Sequence, residues 1–122
     1  RKIFMFREFN NFDDVADEFS ECEIGFIMPH QLSCLPDKYF DTCLAIDCLH
    51  EMKSEQISVY FTQADRLANY FYFKAWNNTT VPFDEITLTK DKYITPQHWK
   101  KLFLNDCYIP SDYFEAMYQC QQ

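Results

Sequence analysis

The sequence predicts an α/β domain: a sheet with helices packed against it, followed by a β-rich C-terminal tail. Two observations carry that expectation. Through the first two-thirds of the chain, apolar runs of strand length alternate with segments of helical periodicity. Beyond Pro82 the helical spacing fades, and alternating stretches such as ITLTKDKYI take its place.

The elements follow in order. Residues 2–7, KIFMFR, form a short apolar strand. Asn10 and Asn11 offer an N-cap, and Phe12, Val15, Ala16 and Phe19 recur at helical spacing, so a helix is expected over about 11–20. Glu23 to Met28 reads as a second strand, stopped by Pro29, which cannot donate to a ladder. A loop, PHQLSCLPDK, covers 29–38. Thr42 to Ile46 is a third strand, apolar enough to be buried on both faces. From about Glu51 to Ala68, the residues Ile57, Tyr60, Phe61, Ala64, Leu67 and Ala68 step by three and four, the strongest helical signal in the chain. Asn69 to Ala75 is a fourth strand and 76–80 a loop. Phe83 to Ile94 reads as extended, and Thr95 caps a short helix, PQHWKKLF, with Pro96 at its first position. Phe103 to Cys120 reads as a hairpin turning at Ile109-Pro110-Ser111-Asp112, with a strand followed by a helix as the alternative.

Composition narrows the classes. At 122 residues the chain holds one core, and a single domain over 1–122 is expected. A hydrophobic share of 48%, with 19% aromatic, excludes disorder. No apolar run approaches the roughly 20 residues of a membrane span. A net charge of -8 and a pI near 4.7 repel a nucleic-acid backbone, and the densest basic pair is only Lys100-Lys101. The six cysteines, at 22, 34, 43, 48, 107 and 120, show no zinc-ligand spacing. They are expected as reduced thiols of a cytoplasmic protein, three disulfides being the other possibility. Gly25 is the single glycine, where average usage gives about eight or nine, so no glycine-rich phosphate or dinucleotide loop is possible. A start at Arg1, without initiator Met or signal peptide, suits a piece of a longer protein.

Open α/β sheets bind ligands beyond the carboxyl ends of their strands. Two polar groups fall at such ends: His30-Gln31 after Pro29, and Asp47, His50 and Glu51 within CLAIDCLHEM. An imidazole titrates near neutrality, and a carboxyl can be tuned by burial, so the second group holds candidate bases. Each residue also has a plainer reading. Asp47 would cap the next helix, a role that is compatible with lining a site. Glu51 would gain from the dipole in a helix's first turn. His50 would be a surface or satisfied histidine, His30 and Gln31 plain loop polars, and His98 and Trp99 packing and surface residues.

The run LPDKYFDTCLAIDCLHEM (35–52) resembles the stretch around the fourth strand of class I S-adenosylmethionine-dependent methyltransferases. There, LP-x-x-x-FD leads into an apolar strand that ends in a polar residue and a Leu-His pair. More narrowly, IMPHQLSCLPDKYFD, LHEM, EQI, YF, YFYFKAW and a late Trp resemble the sugar O-methyltransferases, from about Glu23 to Trp99 and more loosely to Glu115-Ala116. The resemblance implies a partial Rossmann-like sheet and the C-terminal half to two-thirds of such a domain. The family's first strand and Gly-x-Gly loop are absent, as is a clear acidic residue for the cofactor's ribose. It implies His30 and Gln31 at the adenine edge, Asp47 near the cofactor, and His50 and Glu51 toward the acceptor, as base. The cofactor would be S-adenosylmethionine, held by the full-length protein, and the acceptor a small molecule such as a sugar.

Two other readings compete with this enzyme fragment. One is a methyltransferase-like binding module for a basic partner. The other is a small acidic antitoxin or immunity-type protein. A sheet lacking its first strand would also expose an edge through which the chain dimerises.

Overall fold

The segment from Ser54 to Leu67 explains most of the architecture. Ile57, Phe61, Ala64 and Leu67 lie on one side of its helix and are all buried. At its start the Lys53 N–H donates to the Gln56 side chain at 3.0 Å. At its end the Lys38 ammonium donates to the Ala68 carbonyl at 2.9 Å, placing a cation on the negative end of the helix. Ala68 then opens a strand directly, so helix and strand meet without a loop.

A computed structural model describes residues 1–81 and 86–120. The fold is mixed α/β, and the chain divides into two compact units, 1–37 and 38–122. In the first, β1 (Ile3–Phe4) pairs in parallel with β2 (Ile24–Gly25). A 3₁₀ turn at Phe12–Asp14, capped by the Asn11 side chain, leads into α1 (Ala16–Ser20). Phe4, Phe9, Phe12 and Phe19 pack edge to face at centroid distances of 5.1–6.4 Å.

The second unit carries β3 (Phe40–Ile46), α2 (Ser54–Leu67), β4 (Ala68–Trp76), β5 (Asn78–Val81), β6 (Ile86–Thr89), β7 (Lys100–Asp106) and β8 (Tyr113–Gln119). The main sheet has the order β3-β4-β8-β7, while β5 and β6 form a separate antiparallel pair. Strands β3 and β4 are parallel, joined by α2 as their crossover; β8 and β7 follow as antiparallel neighbours. Phe71, Phe73, Ala75, Phe114, Ala116 and Tyr118 build the core with α2, Leu88, Tyr93 and Trp99.

Several sequence expectations need correction. The strands expected at 2–7 and 23–28 shrink to two residues each, because among the described residues each pairs only with the other. The loop at 29–38 contains a 3₁₀ helix, Pro29–Cys34. Strand β3 is not buried on both faces: it is a sheet edge, and Leu44 and Ile46 are 65% and 56% exposed. A strand, β5, occupies part of the expected loop at 76–80. The short helix at 96–103 is absent. Trp99 donates its indole N–H to Asp65 at 2.7 Å, His98 contacts the same carboxylate at 2.7 Å, and β7 begins at Lys100. Of the extended segment 83–94, residues 83–85 lie outside the described residues; β6 supplies part of the remainder. The expected terminal hairpin is present as β7 and β8. All six cysteines are free thiols. No helix among the described residues is long and apolar enough to cross a membrane.

Candidate functional site

Strand β3 ends at Ile46, and the next residue changes the backbone's course. Asp47 has φ 56°, in the left-handed region that Asp tolerates better than most residues. Its N–H still donates to the Lys74 carbonyl at 2.9 Å, so the ladder closes while the chain leaves the sheet. A 3₁₀ turn, Leu49–Glu51, follows, anchored by the buried Leu49. Helix α2 starts three residues later, at Ser54. Asp47 therefore caps no helix, and Glu51 does not lie in the first turn of α2. Neither plainer reading accounts for them.

His50 is 3% exposed and lies at the centre of the cluster. Its ring stacks on the Trp76 indole at 5.3 Å with 21° between planes, and Tyr113 meets it edge-on at 6.1 Å. The Trp76 backbone N–H donates to Nδ1 at 3.4 Å. In the neutral ring the proton is then on Nε2. That nitrogen faces Asp47 Oδ1 at 3.4 Å and Glu51 Oε1 at 3.7 Å. The Tyr113 hydroxyl donates to the same Asp47 oxygen at 2.6 Å, and this bond, more than its partial burial, raises the phenol above its ordinary range.

The sequence offered both His50 and Glu51 as bases, and the geometry divides their parts. With Nδ1 engaged by a backbone donor and Nε2 carrying the proton, neutral His50 has no free lone pair to receive another. Its Nε2 lies between two carboxylates. Asp47 and Glu51 are both exposed, but Asp47 already accepts from Tyr113. Glu51 is the more exposed of the two, its side chain 71% accessible against 57% for Asp47.

Asp47, His50 and Glu51 are thus brought together at the carboxyl ends of parallel β3 and β4. His30 and Gln31 belong to the other unit. His30 is exposed, its Nε2 3.1 Å from Glu8. Gln31 is wholly buried: its carbonyl accepts from the Met28 N–H at 2.7 Å and its amide donates to the Arg7 carbonyl at 2.9 Å. This amide holds its own loop and offers a ligand no accessible edge. Gly25 does not open a cradle either, because a Cβ there would lie 2.7 Å from the Phe19 ring, which fills the space. These residues do not by themselves fit S-adenosylmethionine.

Two members of the cluster, Trp76 and Tyr113, escape sequence reasoning. They face each other across the β4–β8 ladder, and Tyr113 is 66 residues from Asp47. Only strand pairing brings them in, and no local spacing signals it.

No protein-family model and no curated protein matches the chain. Among solved structures it is similar to the crystal structure of PH0226 protein from Pyrococcus horikoshii OT3, at 11% identity and a TM-score of 0.62. The match covers 97% of this chain and 71% of that one. At such identity the likeness speaks for a shared α/β fold alone.

Proposed function

We propose that this chain is the acceptor-side portion of a Rossmann-like S-adenosylmethionine-dependent O-methyltransferase acting on a sugar hydroxyl. The resemblance of residues 35–52 to the family supplies the reaction class. The observation that carries the reading is the meeting of Asp47, His50 and Glu51 beyond the carboxyl ends of β3 and β4, where open α/β sheets hold their ligands. In this reading Glu51 takes the proton from the acceptor hydroxyl. His50 Nε2 lies between the two carboxylates, 3.4 Å from Asp47 and 3.7 Å from Glu51, and the Tyr113 hydroxyl donates to one oxygen of Asp47. The cofactor cradle, which these residues do not make, is contributed by other parts of the same gene product.

The test compares two proteins by calorimetry with S-adenosylhomocysteine. This chain alone should give no heat, and the product of the whole gene should bind. Absence of heat from both would overturn the assignment. In the whole gene product, Glu51→Gln should lower turnover by about 10²–10⁴-fold, the usual worth of a general base, with cofactor affinity unchanged. Unchanged turnover would remove Glu51 from the role.

One observation favours a second reading, a non-catalytic binding module. Leu44 and Ile46 are exposed on a sheet face, and the net charge of -8 suits a basic partner. It would stand if no form of the protein binds the cofactor.

A further inference from the structure

The turn between β7 and β8 lies at the same end of the sheet as Asp47 and Glu51, since Asp106 and Phe114 pair there beside Ala75. Its residues Tyr108 and Ile109 are 96% and 88% exposed, unusual for side chains of that size. Between this turn and the sheet lies a cleft of about 510 Å³, within the usual range for small-ligand sites. Its floor is a row across three strands, Lys74, Glu115 and Asn105, paired in register. The Lys74 ammonium donates to the Ile109 carbonyl at 3.4 Å, tying the turn to the floor. The Tyr72 hydroxyl donates to Glu115 at 2.7 Å and fixes that carboxylate.

Resting on the acceptor-side reading above, we propose that this cleft binds the acceptor and that the acceptor is an uncharged pyranose. The lining mixes an ammonium, a carboxylate and an amide, so both donors and acceptors face a ligand rich in hydroxyls. Its charges offset each other: Lys74 stands beside Glu115, and Asp106 is bonded to Lys90. No excess positive charge is left to hold an anion, and the field of the chain opposes one. Tyr108 supplies a flat apolar face for the C–H side of a sugar ring. The cleft is linked to the cluster through Tyr113. The Lys74 ammonium lies 5.8 Å from its ring centroid, and its hydroxyl bonds Asp47.

Ligand-observed NMR with methyl β-D-glucopyranoside, methyl α-D-mannopyranoside and glucuronate tests the proposal on this chain. At least one neutral glycoside should saturate, and glucuronate should bind more weakly than it does. Tyr108→Ala and Asn105→Ala should each weaken the glycoside about tenfold, whereas Glu55→Gln, at an exposed position in the first turn of α2, should leave it unchanged. Both test residues are exposed, and circular dichroism checks that the variants stay folded. Absence of saturation by either glycoside, stronger binding of glucuronate, or full binding by a folded Tyr108→Ala would each overturn the cleft assignment. Sugar binding without cofactor binding by the whole gene product would instead overturn the methyltransferase and keep the cleft.

Discussion

The two faces of the four-stranded sheet are written in nearly the same alphabet and behave differently. On one, Phe71, Phe73, Ala75, Phe114 and Ala116 are buried. On the other, Leu44, Tyr72, Lys74, Trp76, Met117 and Phe103 alternate with them along the same strands, and Leu44, at 65%, is mostly in water. Apolarity does not separate the faces; cover does. Helix α2 and the residues Leu88, Tyr93 and Trp99 pack on the first face. The largest expected effect follows. Phe73 stands against Phe61, Tyr93, Phe114 and Tyr118, with ring centroids 5.6–6.2 Å apart. Phe73→Ala should cost about 3–5 kcal/mol in urea unfolding. Leu44→Ala, on the open face, should cost about 0.5 kcal/mol or less. Similar losses at the two positions would break the distinction.

A smaller effect is read with pH, and one group from each face illustrates it; burial also raises Cys43, Cys48, Tyr93 and Tyr118. Burial pushes the Cys120 thiol from 9.0 up to about 12. Partial burial and the bond to Glu115 push the Tyr72 phenol from 10.0 up to about 12. For both, folding favours the protonated form, so the unfolded chain releases its proton first. Their contribution is complete below the unfolded value, near pH 9 for Cys120 and pH 10 for Tyr72, and is lost as pH rises toward about 12. Melting temperatures by circular dichroism should be flat from about pH 7 to 8.5 and fall above pH 9. Tyr72→Phe should lessen the fall above pH 10 and leave its onset in place. A fall that begins below pH 8, or one that Tyr72→Phe leaves unaltered, would show that other groups control the alkaline limb.

The sequence showed the parts of this structure that local periodicity controls. Helix α2 is within three residues of expectation, because its apolar residues repeat every three or four positions over four turns. Strand β4 is expected over 69–75 from its aromatic run, while β8 is one of two readings of 103–120. The misread segments are those whose conformation depends on distant partners. Residues 96–99 have helical start signals, yet Asp65 of α2 holds His98 and Trp99 in a turn that feeds β7. Strand β3 has the composition of a strand covered on both faces, and whether anything covers it is not written in its own residues. The site divides in the same way. Asp47, His50 and Glu51 are neighbours in sequence and were visible as a group. That Nδ1 is engaged by Trp76, and that Tyr113 reaches Asp47, depends on the β4–β8 register.

The smallest expected change in stability carries the most information about the open face. Strand β3 ends the sheet, and its sequence FDTCLAI contains no lysine or proline to discourage pairing. Among the described residues no strand pairs with its outer edge, which lies beside Leu44 and Ile46. Another copy meeting it antiparallel would satisfy both edges about one two-fold axis, the commonest closed arrangement. Sedimentation should therefore show the wild-type chain becoming a dimer as concentration rises. Leu44→Lys places a charge on the exposed face, where it costs the monomer little, and beside the same residue of a second copy, where like charges repel. The variant should stay monomeric with its melting temperature at low concentration unchanged. A wild-type chain that remains monomeric throughout, or a variant that dimerises equally well, would rule out self-pairing through β3. The exposed Leu44 and Ile46 would then be simply an apolar surface that this fold tolerates in water.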